Sequence, residues 1–359
     1  MRSSPMSHYR LNNLFYQSWR SISSSCASVT QRRSMAISCA TDPTEGDFAE
    51  SPYRIGNFLD IRKHVPPTSV KSKSVYCYMK RPEYVTLMAE RELSLKERYH
   101  RHPPTETEPV GTKKFPLEIV KHVRAGPEKA AQLILAKVKD INDKPLVAKF
   151  YDPFYYDLTQ DDVDPFRAVD EAYIKENLAY QYLKGAQGSL IPRHFGSFSC
   201  EFPLGAGSRA VRLILIEYVE GTCMDTVDPY CLSQAARQNI MEKVVRTESY
   251  LYARKFDHRD NYPRNIIIRS KDLMHFANKD IDVVLVDLES SDFGWEIKKP
   301  DFDNAISPII RWHERTDRMD PFRVTGWIDW EWQPWLERCF RGDPNFEPVT
   351  EAQRRAWLR

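Results

Sequence analysis

No run of about 18 apolar residues occurs in the chain, so no membrane-spanning helix is expected. No Cys-x-x-Cys pair occurs either. The seven cysteines, Cys26, Cys39, Cys77, Cys200, Cys223, Cys231 and Cys339, are scattered and odd in number. That argues against a disulfide framework or a zinc site and fits a reducing compartment. A charge excess is also missing: 52 Lys+Arg stand against 50 Asp+Glu, so nothing global points to a nucleic-acid partner. Acidic residues are absent before Asp42, while Arg2, Arg10, Arg20, Arg32 and Arg33 and many serines fall in that stretch. Arg- and Ser-rich, acid-poor ends fit either an organellar transit peptide or a disordered tail. A cytoplasmic location is expected, with mitochondrial import as the alternative. No apolar core for a secretory signal is seen, and there are no internal repeats.

What is present is a globular composition. Apolar residues make up 42% and aromatics 12% of 359 residues, enough for one large or two modest domains with a real core. "RPEYVTLMAERELSLKERYH" (81–100) has helical spacing at Tyr84, Leu87, Met88 and Leu93. "HPPTETEPVGTKK" (102–114) is polar and Pro-rich and reads as a linker. "LEIVKHV", "AQLILAKV" and "LVAKFY" are short apolar runs separated by "RAGPEK" and "KDINDKP", which predicts three strands in an antiparallel meander. A helix is predicted over 170–187, ending near Gly185, then strands in "RHFGSFSCEF" and "RAVRLILIEYV". A long amphipathic helix over 233–255, with Ser233 as N-cap, leads into "FDHRDNYPRNIIIRS". "NIIIRS" and "DVVLVD" then form a short hairpin. Seven of the eight tryptophans follow residue 294.

The order is three strands with Lys149 on the third, a helix with Glu176, two strands and a long helix. His258-Arg259-Asp260 with Asn265 comes next, then a hairpin ending at Asp287. This order and the His-Arg-Asp-x-x-x-x-Asn spacing resemble the protein-kinase-like fold, including its aminoglycoside and choline phosphotransferase branch, over about residues 115 to 295. The fold implied is α+β and bilobal: an N-lobe of antiparallel sheet plus helix, and a mainly helical C-lobe. The domains expected are a tail or transit peptide (1–41), a helical extension and linker (42–114), an N-lobe (115–220) and a C-lobe with the Trp-rich tail (221–359).

The resemblance implies ATP and Mg²⁺ as cofactors, and transfer of the γ-phosphate to a hydroxyl on a protein or small molecule. Phosphoryl transfer is mostly positioning and charge stabilisation. Lys149 would hold the α- and β-phosphates and Glu176 would hold Lys149, in preference to Glu171. Backbone groups of Glu217 and Val219 in "LILIEYVEG" would meet adenine. Asn265 and Asp287 would hold the hard Mg²⁺ ion, and Asp260 would orient the incoming hydroxyl. Asp292, in a literal Asp-Phe-Gly, and Asp329 are rival metal ligands. Asp287 is preferred because a strand delivers it after a hairpin of ordinary length, and Glu289 would add a second carboxylate. Two family features are missing. "RAGPEK" offers Gly126 followed by Pro127 instead of a glycine-rich phosphate loop, and no Ala-Pro-Glu motif closes an activation segment. They set a second reading beside the first: a pseudokinase, a kinase-shaped nucleotide-binding or scaffold protein with little or no turnover. The Trp-rich tail reads as core packing or, alternatively, as a ring-stacking ligand site.

Overall fold

The structure is a computed structural model that describes residues 51–68, 90, 92–126, 129, 131–156, 164–270, 281–294, 306–313 and 326–357. The chain divides into two compact units, Met1–Met35 and Ala36–Arg359. The first lies outside the described residues, as does the rest of the tail expected over 1–41.

The fold is α+β. Strands β1 (Phe58–Val65), β2 (Glu108–Arg124), β3 (Gln132–Val138), β4 (Asn142–Tyr151), β5 (His194–Leu204) and β6 (Gly207–Glu217) form a closed barrel in the order β1-β2-β3-β4-β6-β5. All pairs in it are antiparallel. The meander of β2, β3 and β4 follows the sequence expectation. The closure does not. β1 lies within the stretch read as helical extension, and it seals the barrel by pairing Arg62, Lys63 and His64 with Ser199, Phe198 and Ser197. Only Ile61 and His64 of β1 are buried, so the strand lacks the apolar alternation that would have announced it. The presumed linker likewise enters β2 at Glu108, whose first seven residues are exposed.

Alternation along β4 sorts its side chains between two cores. Leu146, Ala148 and Phe150 belong to an apolar cluster with Ile61, Leu117, Ile134 and Leu213, contributed by the barrel strands. Val147 and Tyr151 point the other way, into a larger cluster, and the two-residue period puts Lys149 on their face. There β4 meets α2 (Pro165–Tyr182), which starts earlier than the periodicity predicts. Asp164 caps it by accepting from the Arg167 N–H at 2.9 Å, and Pro165 occupies the first turn, where its missing N–H costs nothing.

The larger cluster also takes in α3 (Gln234–Ala253), capped by Ser233 as expected. Two-residue strands β7 (Thr222–Cys223) and β8 (Phe256–Asp257) flank α3. The predicted hairpin is β9 (Ile266–Arg269) with β10 (Asp282–Leu285), in the register Ile266↔Leu285. Beyond it lie β11 (Asp292–Phe293), paired with β8, and helices α4 (Pro308–Arg311), α5 (Trp332–Phe340) and α6 (Glu351–Trp357). Trp312, Trp327, Trp332 and Trp335 are all buried in this cluster. Trp332 stacks on Trp335 at 4.8 Å and donates its indole N–H to the Trp312 carbonyl at 2.7 Å, while Trp312 donates to Glu248 at 2.9 Å. These rings are core. The helix expected over 81–100 falls partly outside the described residues; its described part is α1 (Leu95–Arg101), closed by a capping box between Ser94 and Glu97. Among the described residues, no helix is long and apolar enough to cross a membrane.

Candidate active site

The larger core leaves one end of β4 facing a cavity of about 380 Å³, within the usual size of small-ligand sites. Lys149 lies at this cavity, 1% exposed. Its ammonium donates to Glu176 Oε2 at 2.6 Å, to Glu289 Oε2 at 2.9 Å and to Asp287 Oδ1. Glu176 is fully buried on α2 and also accepts from the Tyr151 hydroxyl at 2.5 Å and from the Leu288 N–H at 3.4 Å. Glu171, the rival position, instead pairs with Lys175 at 2.6 Å. Burial alone would drive the Lys149 pKa down. Asp287, Glu176 and Glu289 reverse this and hold it well above its ordinary value. Burial pushes the Asp287 carboxyl up, but Lys149 and then Arg124 pull it below the usual carboxylate range. Glu289 has less cationic help. Burial, and then its neighbour Asp287, raise it to about 7.

Backbone pairing positions Asp287. β10 is laddered to β9, the Val286 N–H donates to the Asn265 carbonyl at 3.0 Å, and His258 Nε2 bonds the Val286 carbonyl at 2.9 Å. His258 thus ties the His-Arg-Asp loop to the strand end that carries Asp287. Asp287 and Arg259 both adopt left-handed backbone, with φ of 65° and 59°. That region is uncommon outside glycine and recurs at functional sites. Asp260 accepts from Arg264 at 2.6 Å and from the Asn265 side-chain amide at 2.8 Å. Asn265 is buried and lines the cavity.

The structure therefore gathers Lys149, Glu176, Asp287 and Glu289 into one cluster, with Asn265 on the same cavity and Asp260 hydrogen-bonded to Asn265. Glu217 and Val219 line the cavity's other side, beside Tyr218, Ile216 and Val147. The Glu217 N–H donates to the Arg193 carbonyl at 2.8 Å and its carboxylate pairs with Arg269 at 3.0 Å. This confines any ligand contact of the Glu217 backbone to its carbonyl. Asp292 pairs with Arg259 at 2.8 Å, and Asp329 with Arg237 at 2.6 Å and Gln234 at 3.0 Å. Neither lines the cavity. After residue 219 the chain passes against β9 at Gly221, where an added Cβ would lie 2.5 Å from the Ile268 carbonyl oxygen; only glycine fits there.

The donor set suits a hard divalent cation. Glu176, Asp287 and Glu289 each place a carboxylate oxygen within 4.8 Å of the others, and carboxylate and amide oxygens are what Mg²⁺ prefers. Sequence reasoning missed Tyr151, Arg124 and Arg264. Arg124 Nη2 lies 3.6 Å from Asp287 Oδ2. Tyr151 had a readable signal: it stands two residues after Lys149 and so shares its face. Arg264 stands one turn after Asp260. Arg124 had no signal.

A model of the lipopolysaccharide kinase (Kdo/WaaP) family, a protein-kinase-like family, matches residues 203–304. The matched stretch contains Asp260, Asn265 and Asp287; Lys149 and Glu176 precede it. No curated protein matches the chain.

Proposed function

We propose that the protein is an ATP- and Mg²⁺-dependent phosphotransferase of protein-kinase-like, bilobal build, which transfers the γ-phosphate to a hydroxyl. Residues 115–220 form the N-lobe and 221–359 the C-lobe, with 42–114 as an extension that lends β1 to the barrel. The observation that carries this reading is Lys149, buried and held between Glu176 and Asp287 on a cavity that Asn265 also lines. In this reading Lys149 holds the α- and β-phosphates, and Glu176 and Tyr151 fix its ammonium. The Glu217 carbonyl and the Val219 N–H meet adenine, and Val147, Ile216 and Ile267 enclose the ring. Asp287 and Asn265, with Glu289 beside them, would hold Mg²⁺, which would supply positive charge against the phosphates. Glu289 is the second carboxylate that the aminoglycoside and choline branch would provide. Asp260, steadied by Arg264 and Asn265, accepts the proton of the attacking hydroxyl. The acceptor is a hydroxyl on a protein or a small molecule; the matched family is named for lipopolysaccharide.

One observation favours the second reading, a pseudokinase. The Gly126 N–H, which a phosphate would need, donates instead to Gln132 at 2.6 Å. Thermal melting with ATP, with and without Mg²⁺, separates the cases. Saturation at a hundred times Kd stabilises by about 2.7 kcal/mol. Asp287→Asn should abolish the Mg²⁺-dependent part of that gain. Asp260→Asn should keep it and lower phosphotransfer or ATP hydrolysis by roughly 10²–10⁴-fold. Binding without any turnover for Asp260→Asn to reduce would establish the pseudokinase. No binding at all would remove the phosphotransferase and the nucleotide-binding pseudokinase, and leave a kinase-shaped scaffold.

A further inference from the structure

We propose that Arg124 is a ligand of the nucleotide's polyphosphate, doing with a side chain what a glycine-rich loop does with backbone amides. The inference rests on the nucleotide reading above and adds a residue that neither the motif pattern nor the family match supplies, since Arg124 lies outside residues 203–304.

The first observation is a turn committed to itself. The fully buried Gln132 accepts the Gly126 N–H at 2.6 Å, and its own amide donates to the Gly126 carbonyl at 3.1 Å and the Lys129 carbonyl at 3.2 Å. A single carboxamide thus clamps the turn to the root of β3 and takes the amide that would otherwise face a phosphate. The next residue in sequence, Pro127, has no N–H to offer.

The second observation is a guanidinium placed where that amide is missing. Arg124 is the last residue of β2, paired with Leu133 and lining the cavity beside Lys149 and Asp287. Its Nη2 reaches Asp287 only at 3.6 Å, and its Nε is buried with no hydrogen-bond partner among the described residues. A buried donor left unsatisfied is costly, and a phosphate oxygen at this corner would satisfy it. Guanidinium forks match phosphate oxygens in pairs. Electrostatics point the same way. Three carboxylates share the one ammonium of Lys149, so a polyphosphate entering this corner needs further positive charge. Arg124 supplies it, with Lys129 also on the cavity wall. Once Asp287 turns to a divalent cation, the loose pair with Arg124 is released and the fork is free for phosphate.

The test is titration calorimetry of the full chain with adenosine, ADP and ATP in Mg²⁺, comparing wild type, Arg124→Ala and Arg124→Lys. Loss of a charge-assisted hydrogen bond should weaken ATP about tenfold to a hundredfold in Arg124→Ala. ADP should weaken less, and adenosine should stay within about twofold. Arg124→Lys keeps the charge without the fork and should fall between. Retained adenosine binding also shows that the variant is folded. Unchanged ATP affinity in Arg124→Ala overturns the proposal, as does a parallel loss of adenosine. Tighter ATP binding overturns it too, by making Arg124 a plug on Asp287. Each of these leaves the nucleotide reading standing. A wild type that binds neither adenosine nor ATP overturns both.

Discussion

Replacing Lys149 by Met tests whether the centre of the site is an electrostatic knot or merely well-packed apolar surface. Met keeps most of the stem's volume, so the loss is chiefly of charge. In the wild type the ammonium sits 2.6 Å from Glu176 and 2.9 Å from Glu289. At an effective dielectric of about 20, each contact is a gross attraction of about 6 kcal/mol before desolvation is charged against it. Without the ammonium, three carboxylates with oxygens within 4.8 Å of one another repel by about 3 kcal/mol or more per pair. The folded variant therefore keeps at least one of them protonated, with a pKa raised above its unfolded value of about 4.3. A carboxyl raised in this way destabilises progressively as pH climbs from the unfolded value towards the folded one. Glu289 is already raised to about 7 in the wild type, so the variant adds the further rise, and that added cost is larger at pH 8 than at pH 5.5. Breaking a buried ion pair typically costs roughly 3–5 kcal/mol, and the loss at pH 8 should fall in that range. It is also a large part of the 5–15 kcal/mol usual for a whole protein.

The assay is urea unfolding of wild type and variant in EDTA at pH 8 and pH 5.5, read as the difference between the two proteins at each pH. The difference should shrink at the lower pH, and adding Glu289→Gln to the variant should recover much of it at pH 8. A loss of the same size at both pH values would mean that packing, not charge, holds the site. A loss below about 1 kcal/mol at pH 8 would mean that the three carboxylates do not share the ammonium at all.

Three other outcomes follow from named contacts. Arg209 makes a bidentate pair with the fully buried Asp152, at 2.6 and 2.9 Å, and Tyr53 donates to the same carboxylate at 2.7 Å. Arg209→Met strands that charge and should cost about 3–5 kcal/mol in urea unfolding. Trp335→Ala removes a buried ring stacked on Trp332 and should cost about 3–5 kcal/mol while leaving ATP binding intact; lost nucleotide binding in a folded variant would return the Trp-rich tail to the ligand site. His64 is pushed down to about 4, by burial and then by Arg212. The unfolded chain therefore takes up a proton that the folded one refuses, and stability should fall as pH drops from about 6.5 towards 4; His64→Gln should flatten that slope in melts between pH 7 and pH 5.

The elements legible in the sequence were those whose burial follows a regular period. α3 carries its Ser233 cap and a steady apolar stripe, and the β9–β10 hairpin alternates between turn residues and β-branched runs, so both lie close to where the periodicity puts them. The apolar period places the start of α2 too late, because that start is written in Asp164 and Pro165 rather than in apolar spacing. β1 and the first half of β2 could not be read as strands. They seal the barrel mainly through backbone pairing, with Ile61 and His64 the only buried side chains of β1. Pairing of that kind leaves no trace in side-chain pattern.

The same division runs through the site. Lys149, Glu176, Asp260, Asn265 and Asp287 can be named as candidates from the sequence because each stands at a fixed place relative to a strand or loop of recognisable type. Tyr151 follows from the period of two, once Lys149 is placed. Arg124 belongs to no motif: its meaning comes from the Gly126 amide that Gln132 has taken, and that is visible only when Arg124, Gly126 and Gln132 are seen folded. The departure from a glycine-rich loop, which in sequence argues against catalysis, thus has a physical counterpart. A turn braced by a buried carboxamide gives up the close backbone approach that glycines allow, and in exchange presents a guanidinium at a defined place. Such a site would hold a polyphosphate through side chains anchored on rigid strands, Arg124 on β2 and Lys149 on β4. Its affinity would then depend on salt more steeply than that of a backbone cradle, because fixed charges are screened while amide geometry is not.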